Sequence, residues 1–83
     1  MTKENKEHIL FHLNEASEEV TRTIREIKDD PDYDEAEFFV AMQHLYHHVN
    51  TAWNSRSIDP ERIYQYSQED FDLWRQFPTD IEM

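Results

Sequence analysis

No glycine occurs anywhere in the 83 residues, and only three prolines do, Pro31, Pro60 and Pro78. Tight β-hairpins, bulges and strained loops lean on glycine for positive φ, whereas a helix interior is stabilised by its absence. Long apolar runs at helical spacing point the same way, and the chain reads as all-α. The prolines then divide it into pieces.

From about residue 3 to 28, Ile9, Leu10, Leu13, Ala16, Val20, Ile24 and Ile27 recur mostly every three or four residues, so one stripe of a long helix is apolar. Asp29-Asp30-Pro31-Asp32-Tyr33-Asp34 interrupts that period, with proline ending one helix and acids suiting the first turn of the next. From about 34 to 55 a second stripe runs through Phe38, Phe39, Met42, Leu45, Tyr46, Val49, Ala52 and Trp53. Two helices joined by a short turn fold back as an antiparallel hairpin, in which residues at one level have numbers summing to a constant. Leu13 with Val49, Ala16 with Leu45, Val20 with Met42, Ile9 with Ala52, Ile24 with Phe39 and Leu10 with Trp53 all sum to 61, 62 or 63. This predicts the register, with apolar opposite apolar along the seam.

After Ser57 the pieces shorten and become aromatic. Asp59-Pro60-Glu61 is an N-cap with proline in the first helical position, opening a short helix over about 60–66. Ser67-Gln68-Glu69-Asp70 repeats the device for a helix over about 68–76, which ends before Pro78. Phe71, Trp74 and Phe77 suit a cover laid over the hairpin, and the last five residues are expected to fray. The expected architecture is therefore a single domain, a long antiparallel helical hairpin with one or two short C-terminal helices packed on it.

A chain this short buries only about 60 to 65 % of its extended-chain surface, so a second copy is a natural way to complete the core. Eight basic against nineteen acidic residues leave a net charge of −11. That charge repels nucleic acid and anionic membranes, and no apolar stretch is long enough for a membrane span or a signal peptide. The expected location is the cytoplasm. Without cysteine there is no disulfide, thiolate metal site or thiol nucleophile, and without glycine there is no phosphate-cradling loop or nucleophile elbow. Neither enzyme activity nor a cofactor is expected.

Residues 38 to 55 contain no Asp, Glu, Lys or Arg in a chain otherwise dense with them. The polar side of that helix, Gln43, His44, His47, His48, Asn50, Thr51 and Asn54, is largely neutral, either because a partner covers it or because this helix is the central element under the tail. The expected function is an acidic, non-enzymatic interaction or adaptor module, able to form a homodimer. Its partner-binding candidates are Phe11, Phe39, Gln43, Tyr46, His47, Asn50, Trp53, Asn54 and Trp74. Two alternatives belong to other classes. His8 with His12 and His44 with His48 are i, i+4 pairs, and the register brings His12 level with His48, so His12, Glu15, Glu19, His44 and His48 form a candidate metal-ligand set. The Glu-x-x-His pattern of di-iron bundles is absent. The acids could also imitate DNA phosphates for a basic partner, although they gather at the turn and along the first helix rather than in two rows.

Overall fold

The computed structural model describes all 83 residues as four helices and no strands: α1 (Lys3–Asp29), α2 (Glu35–Asn54), α3 (Pro60–Tyr64) and α4 (Gln68–Trp74). Each helix starts on a side chain that accepts one of its free amide protons. Thr2 Oγ1 accepts from Asn5 N at 3.0 Å, Asp34 from Glu37 N at 2.9 Å and Asp59 from Glu61 N at 2.9 Å. Ser67 and Asp70 form a reciprocal capping box at the start of α4. The Ser67 backbone N–H and the Arg62 guanidinium hold the Asp70 carboxyl below the usual carboxylate range. At the other end of α1, Asp30 is extended, at φ −108 and ψ 106, as the residue before a proline must be. Its side chain then accepts from Asp32 N at 2.9 Å to turn the chain into α2.

α1 and α2 pack as an antiparallel hairpin, with α3 against α1 and α4 against α2. The register follows the constant-sum rule: His12 meets His48, and Glu19 meets His44. Rotation about the helix axes differs from the expectation. The buried residues of α1 are Asn5, His12, Ala16, Glu19 and Thr23, while Leu13, Val20, Ile24 and Ile27 of the apolar stripe remain 40 to 50 % exposed. At about 100° per residue the buried row lies roughly a quarter turn from the apolar stripe. Ala16, Thr23, Ala41 and Ala52 are among the buried residues of the two helices, and the bulkier Leu13, Val20, Ile24 and Ile27 stand beside them. The apolar seam deduced from the sequence is thus an open flank beside the closed one.

The tail docks through amide side chains. Asn54 Nδ2 donates to the carbonyls of Trp74 and Gln76, both at 2.7 Å, and Asn50 Nδ2 to that of Arg75 at 3.0 Å. Carbonyls at the end of α4, which have no partner within the helix, are satisfied this way. Asn5 Nδ2 does the same for Ile58 at 2.8 Å. The C-terminal segment is tied back rather than frayed throughout: Asp80 accepts from Trp53 Nε1 at 2.8 Å and pairs with Arg56 at 3.2 Å. No helix is long and apolar enough to cross a membrane.

Candidate functional site

Four of the five histidines gather where α1, α2 and α4 meet. Helical spacing puts His8 and His12 on one side of α1, and the neighbours His47 and His48 reach the same space from α2. Ring centroids are 4.6 Å apart for His8 and His12, 5.3 Å for His12 and His48, and 4.7 Å for His47 and His48. Together with Phe11, Thr51, Ile63, Tyr66, Phe71 and Trp74 they line a cavity of about 300 Å³. His8 Nε2 and Thr51 Oγ1 are buried on this lining without hydrogen-bond partners.

The closest contact joins His12 Nδ1 to His48 Nδ1 at 3.0 Å. One nitrogen must donate and the other accept, so two imidazolium rings cannot share this contact. Burial pushes His12 down to about 4, and repulsion from His8, His48 and His47 adds to it. Desolvation also lowers His8, and it lowers His47 with help from His48, Arg75 and His44. Burial thus favours the neutral form of His8, His12 and His47, and acidification is opposed by the packing itself.

The metal-ligand set expected from sequence does not come together. His12 and His48 touch, but His44 lies one turn along α2 from them, its side chain 63 % exposed and its Nδ1 3.9 Å from Glu19. Glu19 is buried and engaged with Arg22, and Glu15 joins neither pair. No three His, Asp or Glu side chains form a group able to hold a metal ion. Sequence reasoning set aside His8 and gave His47 another role, although the pairing of His8 with His12 was visible. What it lacked was the packing of α4, which sets Phe71 beside His47, whereas His44 stands one turn along the seam opposite Glu19.

The partner-binding candidates divide into three groups. Asn50 and Trp74 are buried, and the amide of Asn54 is consumed by α4, so these three serve the fold from within. Trp53 and His47 are intermediate, Trp53 lying under the Arg56 guanidinium at 3.7 Å and His47 beside Phe71. Phe11, Phe39, Gln43 and Tyr46 are exposed. Phe39, Gln43 and Tyr46 line an open groove of about 490 Å³ with Phe77, whose ring stands 5.0 Å from that of Tyr46. A second groove, of about 200 Å³, follows the open flank between Val20, Ile24 and Ile27 of α1 and Phe38, Met42 and Leu45 of α2.

No protein-family model matches this chain, and neither a curated protein nor a solved structure does.

Proposed function

We propose that this chain is a non-enzymatic association module, an acidic helical hairpin that presents an unfinished apolar core for another protein surface to complete. Its accessible surface carries the reading. A compact monomer of 10.2 kDa is expected to expose about 5,300 Å². This chain exposes 6445 Å². The excess, about 1,100 Å², is more than the roughly 800 Å² that each partner contributes to a standard interface.

The buried apolar residues number only five, Ala16, Ala41, Ala52, Ile63 and Trp74, while Leu10, Leu13, Ile24, Ile27, Phe38 and Val49 are each more than 40 % exposed. Apolar area left in water is the usual mark of a surface meant for contact. Catalysis finds little support by comparison. The Ser55 hydroxyl is fully buried and donates to the Thr51 carbonyl at 2.5 Å, and His12 is spent on His48.

The test is the behaviour of the chain when isolated by dilution. Melting followed through Trp53 and Trp74 should broaden and shift downward as concentration falls to nanomolar, and a dye for exposed apolar surface should bind the dilute chain. A sharp melt independent of concentration, with no dye bound, would overturn the proposal.

A further inference from the structure

We infer that the surface completing the open α1/α2 flank is a second copy of this chain, packed antiparallel about a twofold axis so that each α1 lies along the other. The inference rests on the association reading above and names its partner. Three observations carry it, the first being shape. A ridge formed by Leu13, Val20, Ile24 and Ile27 runs beside the groove between α1 and α2, and ridge and groove on one face are the two halves of an isologous contact. The second is area, since the surplus per chain already matches what each half of a stable dimer buries.

Charge is the third observation, and it fixes the direction. By helix geometry the α1 acids Glu4, Glu7, Glu15, Glu18, Glu26 and Asp29 fall on the side away from the apolar stripe, at roughly 130° or more from its centre. Two chains of net charge −11 can therefore approach through this flank without opposing their carboxylates. Glu19 also lines the groove, but it is buried and its charge is met by Arg22, and the nearest other charged residues are Lys6 and Lys28, toward the two ends of the stripe. An antiparallel arrangement sets Lys3 and Lys6 of one copy beside the turn of the other, where Lys28 is outnumbered by Asp29, Asp30, Asp32, Asp34 and Glu35. A parallel one would bring the two acidic turns together, and like charges disfavour it.

The experiment uses the full chain without a tag. Light scattering across the micromolar range should give twice the 10.2 kDa chain mass. Cross-linking of an equal mixture of normal and ¹⁵N-labelled chains with a short lysine reagent then reads the geometry. Lys6 and Lys28 of one helix are about 33 Å apart, out of reach, whereas the antiparallel dimer brings Lys6 level with Lys28 of the other copy. A mixed-isotope Lys6–Lys28 product is expected, and its absence from a dimeric sample overturns the arrangement. Ile24→Lys should weaken self-association at least about thirtyfold, as loss of a central apolar anchor does, while Glu18→Lys on the far side should leave it intact. A dimer broken by Tyr46→Lys but not by Ile24→Lys would place the contact in the other groove and overturn the inference. A monomer at high concentration that still binds the apolar dye would reject the second copy and leave the association reading standing. A monomer that binds no dye would end both.

Discussion

The two sides of α2 treat water in opposite ways. Toward α4 the helix presents Asn50, Thr51 and Asn54, polar residues that are sealed in, the two amides spent on the carbonyls of Trp74, Arg75 and Gln76. Toward the open flank it presents Phe38 and Val49, apolar residues left 41 to 42 % exposed. Burial in this molecule therefore follows hydrogen-bonding opportunity and side-chain size on one side, and hydrophobicity goes unmet on the other. A domain that hides its polar groups and shows its apolar ones has a polar joint satisfied but for the Thr51 hydroxyl and an incomplete apolar core. The tail is thus a fixed part of the fold, and the flank is where association can add stability.

Substitutions on the closed side should cost far more than equivalent ones on the flank in the dilute, unassociated chain. Trp74, 3 % exposed, should give the largest loss: Trp74→Ala is expected to cost about 3 to 5 kcal/mol, enough to unfold a small domain at ordinary temperature, as measured by urea titration. If it costs no more than Ile24→Ala, the contrast between the sides fails. Asn54→Ala leaves two α4 carbonyls without their donor and should cost about 1 to 3 kcal/mol, with faster hydrogen exchange in α4. Ile24→Ala, at a site 49 % exposed, should cost under about 1.5 kcal/mol at nanomolar concentration and clearly more once the chains associate. Asp80→Ala releases the end of the chain from Trp53 and Arg56, and should have the smallest effect on stability of the four while quenching or shifting Trp53 fluorescence.

The histidine cluster adds a pH dependence to the closed side. His12 is near its ordinary value of 6.5 when unfolded and is pushed down to about 4 when folded. Between those values the unfolded chain binds more protons, so stability is full above about pH 6.5 and is lost as pH falls toward 4. Carboxylates near the cluster would have reversed that sign by favouring imidazolium, but Glu19 is turned to Arg22 and His44 instead. The melting temperature should fall by several degrees from pH 7 to 5. In His12→Gln the slope should flatten. An unchanged slope would show that buried His12 is not the group whose protonation opposes folding.

Helix boundaries, caps and register were legible in the sequence because each is decided by neighbours along the chain. Pro31 and Pro60, the caps Asp59 and Ser67, and the constant sum of opposed positions required no knowledge of which faces touch. The role of Asn50 and Asn54 was not legible, since a neutral polar helix face has the same composition whether it meets a partner or the chain's own tail, whereas Trp74, read both as cover and as partner-binding, is part of the cover. Nor was the set of histidines that meet: residue spacing placed His44 and His48 on one face, but His44 stands a turn away opposite Glu19, and His47 joins the cluster beside Phe71 of the tail. The sequence by itself determined an all-α hairpin with a capped tail, since local propensity and periodicity act within a few residues. Only the tertiary structure decided which stripe closes the hairpin. Close approach of two backbones selects Ala16, Thr23, Ala41 and Ala52 at the seam and leaves Leu13, Val20 and Ile24 beside it, a steric preference between helices that no single helix carries.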